Sequence, residues 1–168
     1  AADAGIYMLA QLSGGVLGAL QRYRIEHPHE PRLLRMSSFL VDYPFGKRLY
    51  SRALDTIKRL DGCGPTVILS DGDVVFQPRK VERSGLWQAV DGRVLIFIHK
   101  EAELDQIRRL YPAAHYVLVD DKLRILTAVK QAWGADVTTV FVRQGHYALD
   151  PEIVASYPPA DRTIEHIG

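Results

Sequence analysis

The sequence is poor in sulfur and has no surplus of charge. Cys63 is the single thiol among 168 residues, so no internal disulfide can form. The cytoplasm, a reducing compartment, is the expected location. Cys63 lies between Gly62 and Gly64, a pattern that suits a turn residue rather than a nucleophile. His99, His146 and Cys63 do not share the spacing of a zinc site. The formal net charge is +1, which excludes a strong attraction to nucleic acid or to a membrane surface. No apolar run approaches the roughly 20 residues of a membrane span. The stretch from Ala1 to Leu12 lacks the basic start of a secretory leader. Repeats and low-complexity tracts are also missing. What the chain does have is 47% hydrophobic residues, enough for a real core. Its length suits one domain, or a core with a small attached cap. Assembly of identical copies is compatible with this composition.

The first third reads as helical. Val16 to His27 brings Leu17, Leu20 and Ile25 near one face, and Pro28 and Pro31 end the run. Leu33 to Leu40 is a second short helix, broken at Tyr43-Pro44-Phe45-Gly46. Ser51 to Leu60 is a third, stopped by Gly62 and Gly64. From Pro65 the texture changes. Thr66–Leu69, Arg93–Ile98, His115–Val119 and Val137–Val142 are short apolar runs that suit buried strands, with Arg162–Ile167 a short fifth. Helical patterns lie between them at Gln77–Arg83, Glu101–Leu110 and Leu123–Trp133. This alternation predicts an α/β fold, a Rossmann-like parallel sheet with helices on both faces.

In such a sheet, ligands bind beyond the carboxyl ends of the strands. Ser70-Asp71-Gly72 follow the first strand, Lys100 the second, Asp120-Asp121 the third, and Arg143-Gln144-Gly145-His146 the fourth. Ser70 and Gly72 can offer a hydroxyl and backbone N–H groups to an anion. Lys100 can balance negative charge. Asp120 and Asp121 are hard oxygen ligands suited to Mg²⁺. Taken singly, each has a plainer reading: a turn, a surface lysine, a helix cap. The ordered set on one rim is the stronger signal.

In order and spacing these residues resemble three of the four motifs of the haloacid dehalogenase-like superfamily of hydrolases. Val67-Ile68-Leu69-Ser70-Asp71-Gly72 resembles the second motif, Lys100 the motif lysine, and Val117-Leu118-Val119-Asp120-Asp121 the acidic motif. Arg83-Ser84-Gly85-Leu86-Trp87 resembles the helix end after the second motif. Leu49-Tyr50 with Ala53-Leu54 resembles the approach to that strand, with Ser51 and Arg52 where Pro and Gly are frequent. Glu101 stands where proline is common after the lysine. The resemblance covers residues 49–168 as the hydrolase core and makes 1–48 a partial helical cap.

The resemblance implies an aspartate that attacks phosphorus or a halogen-bearing carbon and forms a covalent aspartyl intermediate. Ser70, Asp71, Gly72 and Lys100 would hold the phosphate, with Ser70 and Lys100 also serving catalysis. Asp120 and Asp121 would hold Mg²⁺, weakly in this chain. A phosphate ester is the expected substrate, because a haloacid dehalogenase needs no metal. The family's first motif is an apolar strand ending in Asp-x-Asp, and nothing before Leu49 has that form. The one Asp-x-Asp, Asp71-Gly72-Asp73, lies only about 50 residues before Asp120, too few for a cap and a further strand–helix unit besides that of Lys100. The expected sheet therefore lacks its central first strand, with Ile6 to Ala10 the candidate filler, and the sequence reads as a shortened form. Two alternatives stand beside the phosphatase: a metal-free 2-haloacid dehalogenase, and a non-catalytic interaction module built on this fold. A response-regulator receiver shares the opening at Tyr116–Asp121, but no lysine follows Lys130.

Overall fold

The computed structural model describes residues 16–72 and 75–168, with side chains from Gly18 onward. Ile6–Ala10 and Asp73 lie outside the described residues. The protein is α/β, with parallel sheets and several helices, and it forms two compact units. The first holds the described residues up to Leu49 together with Ile57–Ile98; the second holds Tyr50–Thr56 and His99–Gly168.

In the first unit, α1 (Val16–Glu26) and α2 (Arg32–Val41) are joined across the prolines; α3 (Ala53–Asp61) begins in the second unit and ends in the first. Strand β1 (Ile68–Asp71) pairs in parallel with β2 (Val94–Phe97), Ser70 opposite Ile96 and Asp71 opposite Phe97. Between them lie α4 (Phe76–Ser84) and the one-turn α5 (Leu86–Ala89). Gly85 closes α4 with φ +83°, the left-handed position that glycine takes without strain. Val81 and Val90 form the buried apolar centre here. Arg93 fastens the lower end of the two strands: its guanidinium donates to Thr66 O at 3.0 Å and pairs with Asp61. The first strand was expected over Thr66–Leu69 but begins and ends two residues later. The polar side chains of Ser70 and Asp71 suggest a strand end, yet the Gly72 N–H still bonds Phe97 O, so the backbone ladder runs on through them.

The second unit has sheet order β3-β4-β5, with β3 Tyr116–Asp120, β4 Val137–Val142 and β5 Arg162–Ile164, all parallel. Helix α6 (Leu104–Leu110) precedes β3, and α7 (Leu123–Trp133) crosses from β3 to β4. A single turn, α8 (Pro151–Ala155), leads to β5. Leu123 and Leu126 of α7, Phe141 of β4 and Ala148 make the core, with Leu118, Val154 and Tyr157 packed on it. Each fully buried apolar side chain of this kind contributes roughly 1.5–3 kcal/mol. Glu101–Leu110, expected as one helix, divides into a 3-10 turn at Lys100–Ala102 and α6. Glu103 departs from helical geometry at φ −107°, ψ 22°, and separates them. Val117, in an apolar run expected to be buried on both faces, is 64% exposed. No helix among the described residues is long and apolar enough to cross a membrane.

Candidate functional site

The residues expected on the rim fall into two groups, one on each unit. Ser70, Asp71 and Gly72 belong to the first. Ser70 and Asp71 are half-buried at the carboxyl end of β1. The Ser70 hydroxyl makes a long contact, 3.5 Å, with Asp71 O. Gly72 has φ +153°, and a Cβ there would fall 2.2 Å from Gln77 Cγ. Only glycine fits, because the Gln77 side chain passes against it to donate its amide to Asp71 O at 2.8 Å. The Gly72 amide, expected to face an anion, instead donates to Phe97 O at 3.0 Å. Continuation of the strand ladder takes the donor, so Gly72 contributes a close-packed turn and Ser70 the hydroxyl.

Lys100, Asp120 and Asp121 belong to the second unit, and here the structure brings together residues 20 positions apart. The Lys100 ammonium donates to Asp120 Oδ2 at 2.5 Å, with the two side chains only 13% and 7% exposed. The other oxygen, Asp120 Oδ1, accepts the Lys122 N–H at 2.9 Å, which turns the chain from β3 into α7. Both oxygens of Asp120 are thus engaged within the protein. Asp121 is the next residue, and burial together with the Asp120 charge pushes its carboxyl above the ordinary range, against the pull of Lys122. The Lys122 ammonium lies 4.6 Å from the Tyr147 ring centroid, which orients it as a cation–π contact.

Two further residues complete this group: Gly145, which the sequence places on the rim without a role, and Tyr50, which sequence reasoning did not single out for the site. Gly145, after β4, has φ +87°, and a Cβ there would lie 2.7 Å from Asp121 Oδ2 and 3.3 Å from the Tyr50 hydroxyl. The loop backbone therefore lies directly on the Asp121 carboxylate, a closeness that any side chain at 145 would prevent. The signal was a glycine just beyond a strand on the expected rim; nothing in the local pattern pointed to Tyr50.

Among the described residues, no group of three or more His, Cys, Asp or Glu side chains is gathered as a metal site. Mg²⁺ asks for less: one or two carboxylates, with water and substrate oxygens filling the octahedron. Asp121 beside Asp120 meets that requirement. The Asp121 carboxylate, disfavoured by burial and by the Asp120 charge, is one that a cation would relieve.

No family model matches the chain, and no curated protein matches it. A solved structure does. It is a protein from Burkholderia xenovorans LB400 described as a candidate haloacid dehalogenase-like hydrolase. It is 64% identical in sequence, superposes with a TM-score of 0.89, and the match covers 97% of this chain and 77% of that one.

Proposed function

This chain belongs to the haloacid dehalogenase-like hydrolases, and we propose that it serves the phosphatase chemistry of that group. The observation that carries the reading is the Lys100–Asp120 ion pair with Asp121 beside it at the end of β3. A cation held by one carboxylate, next to a second carboxylate that burial and like charge disfavour, suits the handling of a phosphoryl group. Asp120 is the holder of Lys100. In this reading the Lys100 ammonium would balance the charge of an attacking carboxylate and of the group it receives. The resemblance would give Ser70 the hydroxyl that bonds a phosphoryl oxygen, with Asp71 and Gly72 in the turn at the end of β1. Asp121, with Asp120, would hold Mg²⁺, which when bound supplies positive charge to the phosphate oxygens. The attacking carboxylate is the part that these residues do not supply, since no apolar run in the sequence before Leu49 ends in Asp-x-Asp.

That same observation favours a second reading, a non-catalytic module kept for its surface. Assays of the chain against a phosphate ester and a 2-haloacid, each with and without Mg²⁺, separate the readings. Alone, the chain is expected to release neither phosphate nor halide above a buffer control, because losing one member disables a catalytic unit. Robust Mg²⁺-dependent turnover abolished by Asp71→Asn would instead make Asp71 the nucleophile and overturn the motif order. With a peptide carrying an apolar run and Asp-x-Asp, phosphate release is expected to return, and Lys100→Ala should lower it by about 10²–10³-fold, the effect of removing one charge-stabilising donor. Halide release without metal would favour the dehalogenase, and no release of either kind the interaction module.

A further inference from the structure

Lys100 sits on a 3-10 turn of three residues, Lys100–Ala102, which has no side-chain cap at its start. Such a turn is a weak platform for a flexible lysine, whose side chain carries about 2 kcal/mol of rotamer entropy. A second contact reinforces it. Glu101 stands where the resemblance leads one to expect proline, a residue that would restrict the backbone by itself. Its side chain is 16% exposed, and its Oε1 accepts from Arg124 Nη1 at 2.5 Å. Arg124 lies in the first turn of α7, four residues after Asp120. Two neighbouring residues of the turn are therefore tied to both sides of the β3–α7 junction, Lys100 to Asp120 and Glu101 to Arg124.

The charges alternate in sign across that junction. A slip of the turn toward α7 would set Lys100 against Arg124, and a slip the other way would set Glu101 against Asp120. Both are like-charge encounters, so the pattern favours one register. Burial tends to raise the Glu101 carboxyl, but the Arg124 hydrogen bond, the residue's own backbone N–H and the charges of Arg124 and His99 together outweigh it and hold it below the ordinary range. Glu101 Oε2 is buried without a hydrogen-bond partner among the described residues, so the bond from Arg124 to Oε1 is the side-chain contact that anchors this carboxylate to α7.

We propose that the Glu101–Arg124 ion pair is a positioning device for Lys100, pinning the 3-10 turn to the start of α7 so that the ammonium stays on Asp120. Lys100 matters to function under the phosphatase reading, but the positioning itself does not depend on that reading and is measured without turnover.

The test is ¹⁵N–¹H NMR of the lysine ammonium groups, of which the chain has six. Lys100 on Asp120 is expected to give a slowly exchanging signal. Lys130, paired with Asp161 at 2.8 Å, is the internal control. In Glu101→Gln and in Arg124→Gln, the Lys100 ammonium should exchange at least about tenfold faster, as local opening of the turn becomes easier, while the Lys130 signal stays unchanged. Arg124→Lys keeps a cation opposite Glu101 and should retain the Lys100 signal. An unchanged Lys100 signal in both Gln variants would overturn the proposal. So would equal loss of the Lys100 and Lys130 signals, because the pair would then hold the fold rather than the lysine. Absence of hydrolase activity in every complemented form would count against the phosphatase reading and leave these exchange rates as they are.

Discussion

Lys100 and Asp120 form the pair on which the candidate site turns, and their burial makes it sensitive to the loss of either partner. Asp120 is 7% exposed at its side chain, so removing the ammonium leaves a buried carboxylate with Oδ2 unpaired. Lys100→Met is expected to destabilise the protein by about 3 kcal/mol, the lower end for breaking a buried pair, because Lys122 N–H still serves Oδ1. The double variant Lys100→Met with Asp120→Leu should recover most of that loss, since both charges then leave together. Urea denaturation of the four proteins of this cycle measures it. A single variant as stable as the parent would show that water reaches Asp120 freely. The residues of this pair were legible in the sequence as the ends of two strands, because chemistry at such a rim is concentrated where strands stop. That both oxygens of Asp120 would be engaged, one by Lys100 and one by the Lys122 amide, was not legible. It depends on a distance across 20 residues and on which oxygen the Lys122 amide reaches.

Helix α7 and strand β4 have the bounds expected from the sequence, since both carry a complete local signal. Leu123, Leu126, Val129 and Trp133 recur at helical spacing and Gly134 follows. Helix α8 was missed because one turn shows no periodicity, although Asp150-Pro151 is a start signal: Asp150 Oδ1 accepts from Glu152 N and Ile153 N at 3.0 and 3.2 Å. The junction of β4 and β5 uses a carboxylate in place of backbone. Asp161 Oδ2 accepts from the Thr139 amide at 2.8 Å, the Thr139 hydroxyl at 3.0 Å and Lys130 Nζ at 2.8 Å, one position before β5 begins pairing at Arg162. The Lys130 bond, with those from Thr139, lowers the Asp161 carboxyl to about 2. The unfolded chain would titrate near 3.9, so the unfolded state binds the extra proton first as acid is added. The contribution of Asp161 is therefore complete above pH ~4 and is lost as the pH falls toward about 2. Thermal melts across that window should show a steeper decline for the parent than for Asp161→Asn; equal slopes would dissociate Asp161 from acid sensitivity. Arg52 makes the opposite kind of exception, a side chain at φ +60° where the resemblance has glycine. Left-handed backbone costs a non-glycine residue about 1–2 kcal/mol, partly offset by the greater entropy glycine loses on folding, so Arg52→Gly should stabilise by about 0.5 kcal/mol. A lower midpoint in urea for that variant would mean that the Arg52 side chain contributes more than its backbone strain removes.

At the scale of the whole molecule, the α/β class and the parallel strands were legible because alternating apolar runs and helical patterns leave few other ways to bury both faces of a strand. Strand partnership was less so. Among the described residues, β1 pairs with β2 alone and β3 with β4 alone, so each keeps one edge without a strand beside it. Sequence periodicity gives no information about such an edge, because pairing is a backbone property. An unpaired edge is a template for an added strand, in which main-chain hydrogen bonds supply the affinity and alternate side chains the specificity. A peptide with an apolar run ending in Asp-x-Asp is therefore expected to bind this protein and to raise its melting temperature. An Asn-x-Asn peptide of the same run should stabilise to a similar degree, since it offers the same backbone and apolar face, but should restore no Mg²⁺-dependent phosphate release, since an amide is a poor nucleophile beside a carboxylate. The two peptides separate strand addition from chemistry. Stabilisation by both with turnover from one supports a site whose carboxylate arrives on an added strand. If neither shifts the melting temperature, the edges of β1 and β3 do not accept a strand, and the reading that assigns the nucleophile to one loses its structural basis.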